Sequence, residues 1–212
     1  MHAALRGLSH CVVSGSVVNV VPMRVPDVLL LTPTVHRDAR GAFLEGWNAR
    51  EHAAVGIPEQ WVQDNISESA QGVLRGLHCQ VQQKQGKLVR CLLGAVFDVA
   101  VDLRAKSPTF GQWCGTRLDA NAHQAMWIPA GFAHGYYVLS EGATVHYKVT
   151  DYYAPEHERC LRWDDPDVNI EWPLIAGVLA STSADAPFHT RPILAERDAL
   201  GESLVQAREW FP

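Results

Sequence analysis

Ten histidines give this chain an ample supply of groups that act as general base, general acid or metal ligand near neutral pH. Spacing decides among those uses. A metal site built on neighbouring β-strands commonly takes His-x-His and a nearby Glu converging on one ion. The chain contains no His-x-His, and the run Gly76-Leu77-His78-Cys79-Gln80 offers one such ligand and stops. The pattern argues against a metal centre and leaves proton transfer as the chemistry to look for.

His78 and His134 draw attention because glycine stands beside each, in Arg75-Gly76-Leu77-His78 and in Gly131-Phe132-Ala133-His134-Gly135. Glycine lets backbone approach a ligand closely, so a polar neighbour often faces a cavity. A turn cap or a satisfied core histidine is the competing account, and the preferred one for either position taken alone. Arg75, Lys87 and Arg90 fall within one β-hairpin's reach of His78. Arginine suits bidentate phosphate or carboxylate binding, and lysine offers a compact charge to a developing oxyanion. A solvated strand face is the competing account, and the preferred one for Arg90. Tyr136, Tyr137, Tyr147, Tyr152 and Tyr153 crowd into one stretch. Their hydroxyls can donate protons and their rings can stack on a base or sugar, although strand packing explains them as well.

The elements that must carry these residues read as strands. Alternation is cleanest in Val96–Leu103, where Phe97, Val99, Val101 and Leu103 share one face and Asp98, Ala100 and Asp102 the other. About ten short segments of this kind, from Val28–Leu31 to Ala143–Thr150, are divided by Gly, Pro, Asn and Asp with no helix regularly between them. That implies an all-β sandwich or jelly roll and excludes a βαβ fold. Asn48–Val55 reads as a short helix. Pro192–Phe211 reads as a longer one, with Ile193, Leu200, Leu204, Ala207 and Phe211 near one stripe. The expected organisation is an extension over 1–18, one domain over 19–190 and a helical tail over 191–212.

Composition narrows the partners. With 47% hydrophobic and 19% charged residues the chain is globular rather than disordered. A formal charge of −5 without a Lys/Arg run argues against nucleic acid, so an anionic ligand must meet a few placed cations. No apolar run is long enough for a membrane helix. Five scattered cysteines without a C-x-x-C pair fit neither a zinc ribbon nor a disulfide framework, which points to a reducing cytoplasm.

Longer stretches carry a family resemblance. Gln63-Asp64-Asn65-Ile66-Ser67, Gly72–His78, Gly86–Arg90, Phe97–Arg104, Ile128–Gly135 and Tyr147–Tyr153 occur in the order found in dTDP-4-dehydrorhamnose 3,5-epimerases, which the chain resembles over roughly residues 19 to 190. The resemblance implies a double-stranded β-helix (a cupin-like jelly roll), a homodimer, and a reaction without metal or organic cofactor. The implied substrate is a nucleotide-diphosphate sugar with a 4-keto-6-deoxyhexose. A base removes the C3 and C5 protons beside the ketone, and reprotonation from the opposite face inverts each centre to give dTDP-4-dehydro-L-rhamnose for surface polysaccharide. By resemblance His78 is the base, Tyr147 the opposing acid and Lys87 the enolate-stabilising cation. His134 lines the sugar pocket; Arg40, Phe43, Glu45, Gln63, Asn65 and Arg75 match nucleotide and diphosphate positions; Tyr152 and Tyr153 match substrate contacts. The family pairs its base with an Asp in a late Leu-Ser-x-Lys-Asp segment. Anchored on Leu179 and Ala186-Pro187, that Asp falls on Ser183 and the Lys on Thr182, with Asp185 able to replace it only by a two-residue shift. Two alternatives follow: an epimerase acting at one centre or on another nucleotide-linked 4-keto sugar, and a noncatalytic jelly roll that binds such a sugar.

Overall fold

The computed structural model describes residues 18–58, 60–175 and 191–212. Thirteen strands and three short α-helices occur among them. One sheet has six strands in the order β1 (Val18–Pro22), β2 (Leu29–Pro33), β10 (Ala125–Ile128), β7 (Lys87–Leu93), β12 (Gly142–Val149), β5 (Gln63–Ala70). The other has five, in the order β13 (Glu158–Cys160), β6 (Leu74–Gln80), β11 (Phe132–Val138), β8 (Ala95–Asp102), β9 (Trp113–Asp119). Every pairing within the two sheets is antiparallel. The fold is the expected jelly roll. A separate hairpin, β3 (Val35–Asp38) and β4 (Gly41–Leu44), stands off both sheets. No helix among the described residues is long and apolar enough to cross a membrane.

Alternation along the strands divides the core. Val89 and Cys91 of β7, Met126 and Ile128 of β10, and Val145 of β12 meet Val96 and Ala100 of β8 and Tyr136 and Val138 of β11 between the sheets. Each such aliphatic side chain withdrawn from water contributes about 1.5–3 kcal/mol. The apolar face of β8 points the other way. Val99, Val101 and Leu103 pack with Leu77, Ala133 and Leu161 beneath Leu204, Ala207 and Phe211 of the C-terminal segment. Asp98 and Asp102, on the alternate face, are 0% exposed. The polar face of β8 is thus interior, because the chain's own later residues cover its apolar one.

The single helix expected over Pro192–Phe211 is two short ones, α2 (Glu196–Ala199) and α3 (Leu204–Ala207). Two extended contacts break it. Ile193 bridges Val73 in parallel, taking Leu74 N–H at 2.9 Å and giving its own N–H to Gly72 O at 2.8 Å. Glu202 bridges Leu161, and Gly201 lies so near that a Cβ there would meet Arg162 N at 2.6 Å. Ser203 then restarts the helix through a capping box with Gln206. The short helix expected over Asn48–Val55 is α1 (Ala49–Ala53), with Asn48 as its N-cap. Apart from Val18 in β1, the extension assigned to 1–18 lies outside the described residues, as do Thr182, Ser183 and Asp185.

Register brings the two histidines together: His134 of β11 is paired with His78 of β6, and the ladder shifts between His134 and Tyr136. At that point Gly76, at φ +115°, faces Gly135 so closely that a Cβ on Gly76 would lie 2.6 Å from Gly135 Cα and 2.7 Å from His134 O. Neither backbone has room to yield. Gly76→Ala is expected to destabilise the fold by about 2 kcal/mol or more, read as a lower urea midpoint at unchanged slope; an unchanged midpoint would show that the strands can separate here at little cost.

Candidate active site

His78 projects from β6 with 17% of its side chain exposed, and Asp198 of α2 meets it with Oδ1 2.6 Å from Nε2. A carboxylate only accepts, so Nε2 carries the proton and Nδ1 is left with its lone pair. The Val73–Ile193 bridge delivers Asp198 to this place, and its other oxygen takes the Gly76 N–H at 3.4 Å. Among the described residues the carboxylate partner of His78 is Asp198. The Leu-x-x-basic-Asp pattern stands in Leu194-Ala195-Glu196-Arg197-Asp198, with Ala for Ser and Arg for Lys. Anchoring on Ala186-Pro187 hid it.

A second imidazole–carboxylate pair lies deeper. His134 Nε2 is 3.1 Å from both oxygens of Asp98, and the two side chains are 6% and 0% exposed. Burial pushes the His134 pKa below its ordinary 6.5, against the pull of Asp98. The ring therefore stays neutral more readily than a free histidine.

Tyr147 comes from the other sheet. It points inward with Val145 and Val149 on β12, and its ring centroid lies 6.4 Å from that of His134. Burial raises its phenol above the ordinary 10, so the hydroxyl is a neutral donor at physiological pH. Lys87 opens β7 with 8% of its surface exposed and donates from Nζ to His78 O at 3.2 Å. Burial pushes its ammonium below the ordinary 10.5, against the attraction of Cys79, Glu158 and Asp98. Arg75 is held by Ser69 Oγ at 2.9 Å and Glu68 O at 3.2 Å.

Two adjoining clefts share His78, Lys87, Tyr147 and Arg197. The larger, about 260 Å³, adds Gln63, Asn65, Tyr153 and Glu158. The smaller, about 100 Å³, adds Arg75, His134 and Ser67. Eight of the twelve expected site residues come together there, and the four exceptions are informative. Tyr152 is 60% exposed and outside both linings. Arg40 and Phe43 sit on the β3–β4 hairpin, where Arg40 pairs with Asp38 at 2.6 Å and Phe43 is 68% exposed. Glu45 follows the hairpin and accepts from Asn48 Nδ2 at 2.8 Å. Arg90 is not a solvated strand residue: it donates to Gly46 O at 2.9 Å, and its buried Nε has no partner among the described residues. Reading the sequence missed Asp98, Glu158, Arg197 and Asp198. Arg197 and Asp198 carry the pattern just described. Asp98 was visible only as a polar position on an alternating strand, and Glu158, which holds Arg197 at 2.8 Å, carried no signal.

An imidazole backed by a carboxylate, an opposed phenol and cations lining the cleft define a proton-transfer enzyme built on a jelly roll. Residues 22–206 match the dTDP-4-dehydrorhamnose 3,5-epimerase family, and the chain belongs to that family. It is 54% identical over 191 residues to dTDP-4-dehydrorhamnose 3,5-epimerase of Pseudomonas aeruginosa, spanning 90% of this chain and 97% of that protein. The crystal structure of dTDP-6-deoxy-D-glucose-3,5-epimerase from Legionella pneumophila Philadelphia 1, in complex with dTDP-4-keto-L-rhamnose, is 43% identical with a TM-score of 0.79, over 89% of this chain and 93% of that one. A dTDP-4-dehydrorhamnose 3-epimerase of Streptomyces niveus is 40% identical over 167 residues, 78% of this chain and 81% of that protein.

Lys87 is a charge placed where it strains the fold. Its native pKa lies below its unfolded value, so the unfolded chain binds more protons between the two and stability rises with pH across that window. Lys87→Met is expected to stabilise the protein at pH 7 by ~1 kcal/mol while removing turnover. The gain should shrink as pH approaches the unfolded value; denaturant titrations at pH 7 and near pH 10 test this, and a destabilised variant at pH 7 would contradict it.

Proposed function

We propose that the protein is an epimerase that inverts C3 and C5 of dTDP-4-dehydro-6-deoxy-D-glucose, yielding dTDP-4-dehydro-L-rhamnose. The observation that carries this reading is the 2.6 Å His78–Asp198 pair in the clefts that also hold Tyr147 and Lys87. His78 Nδ1 takes a proton from the carbon beside the C4 ketone. Asp198 fixes the tautomer and stabilises the imidazolium that forms. The electron pair moves onto O4, where the Lys87 ammonium opposes the enolate charge. Tyr147 donates its hydroxyl proton to the opposite face, and exchange with water restores both groups. The same base and donor then serve the second centre. Arg75 and Arg197 supply charge for the diphosphate, with Gln63, Asn65, His134 and Tyr153 around the sugar and its linkage. Cytoplasmic residence is supported by the free thiols of Cys79, Cys91, Cys114 and Cys160.

A homodimer accounts for the hairpin residues. The His78 clefts are lined without Arg40, Phe43 or Glu45, although the family resemblance assigns all three to the nucleotide. We read the exposed β3–β4 hairpin as reaching the cleft of a second copy. Mixing His78→Asn with Arg40→Ala/Phe43→Ala chains then rebuilds one complete site per mixed dimer and recovers activity that neither variant has alone. No recovery after subunit exchange would place the hairpin on its own subunit's cleft.

The reaction itself is tested in heavy water, with NMR following C3 and C5 of the substrate. Deuterium enters both carbons of the L-rhamno product. His78→Asn abolishes exchange, Asp198→Asn slows it by roughly 10³-fold or more, and Tyr147→Phe keeps more exchange than inversion. Deuterium at one carbon favours the single-centre reading, which the Streptomyces niveus 3-epimerase keeps in view. Exchange surviving in His78→Asn removes His78 as the base.

A further inference from the structure

Cys160 stands directly opposite His78 in the β6–β13 ladder, where paired side chains share a face with Cβ atoms about 4.5–5.5 Å apart. Asp198 reaches the same point from α2. A ring nitrogen of His78, Cys160 Sγ and an Asp198 carboxylate oxygen all lie within 4.8 Å of one another, and Nε2 is the nitrogen that meets Asp198 Oδ1 at 2.6 Å. Imidazole, thiol and carboxylate from three separate elements form the donor set of a soft or borderline divalent cation. No local sequence spacing announces it. Two of the donors are already largely withdrawn from water, with His78 at 17% and Asp198 at 3% exposure.

We infer that His78, Cys160 and Asp198 form a binding site for a thiophilic divalent cation of the zinc type, and that its occupancy switches the enzyme off. The ion takes the Nε2 lone pair, so the proton of the neutral ring moves to Nδ1. Cys160 loses its S–H proton to solvent, and Asp198 exchanges a hydrogen bond for coordination. One cation enters and one proton leaves, with no change of oxidation state. Thiolate and carboxylate together balance the ion's two charges. Arg197 Nε lies 3.6 Å from Asp198 Oδ1, but Glu158 holds the guanidinium from its other side at 2.8 Å. With Nδ1 protonated, the imidazole has no lone pair for a sugar C–H proton. The ion therefore captures the base rather than activating substrate. Magnesium and calcium, which prefer all-oxygen sites, do not compete.

The inhibitory effect rests on His78 being the base, whereas the ion site does not. Cobalt(II) is the probe for the site and zinc(II) for inhibition, both with the full untagged chain. Expected is one cobalt ion per chain with thiolate-to-cobalt charge-transfer absorption, displaced by zinc and unaffected by magnesium. Cys160→Ala and the near-isosteric Cys160→Ser lose that absorption. They also raise the zinc concentration that half-blocks deuterium exchange, by at least about tenfold. Cys79→Ala, altered on the other face of β6, keeps the absorption. Absent thiolate absorption, or absorption that survives both Cys160 variants, overturns the site. Intact absorption with deuterium exchange undiminished at saturating zinc upholds the site but overturns the inhibition, and with it His78 as the base.

Discussion

The Asp198 carboxylate, 3% exposed, must find hydrogen bonds inside the protein or be neutralised. His78 Nε2–H and the Gly76 N–H supply them. Much of the chain's arrangement near residues 191–212 serves that meeting. Ile193 is pinned to Val73, Glu202 to Leu161, and between these two bridges the single turn of α2 can point one carboxylate at one ring nitrogen. Leu204, Ala207 and Phe211 then anchor the segment in the apolar cluster over β8. Hydrophobic burial supplies the stabilisation, and the polar contact spends it on orientation.

The same covering explains the inner surface of the jelly roll. Because β8 has its apolar side occupied by later chain, its polar side turns toward the space between the sheets, and Asp98 becomes the partner of His134. The five-stranded sheet thus brings His78 and the His134–Asp98 pair, α2 adds Asp198, and the six-stranded sheet brings Tyr147 and Lys87. The side chains that line the clefts are divided between the two walls of one sandwich. A relative shift of the sheets would change the distance between His78 and Tyr147 without disturbing either wall.

The sequence foretold most of this wherever a local rule applied. Alternation found β8 and most of the other strands, and glycine beside His78 and His134 marked the place where β6 and β11 touch. Ordered motif matches brought His78, Lys87, Tyr147 and Arg75 into one site. What stayed hidden depended on contacts distant in sequence. The apolar face of β8 is legible, but not which later segment covers it. The helical stripe over Pro192–Phe211 is real as a pattern, yet two bridges to Val73 and Leu161 override it. Asp198 escaped for a simpler reason: an Ala-Pro pair supplied a misleading anchor, and conservative changes at Ala195 and Arg197 disguised the motif. Arg90 was misread because nothing local shows that Gly46 folds over it.

His78 and Asp198 are separated by 120 residues. At a synthesis rate of roughly 5–20 residues per second, the base exists for about 6–24 seconds before its carboxylate has been made. During that interval β7, β11, β12 and β13 are made, but the 191–202 segment that docks on β6 and carries Arg197 and Asp198 is not. The imidazole still lacks the partner that sets its tautomer. The His78–Asp198 pair, and the tautomer it sets, is therefore completed only near the end of synthesis.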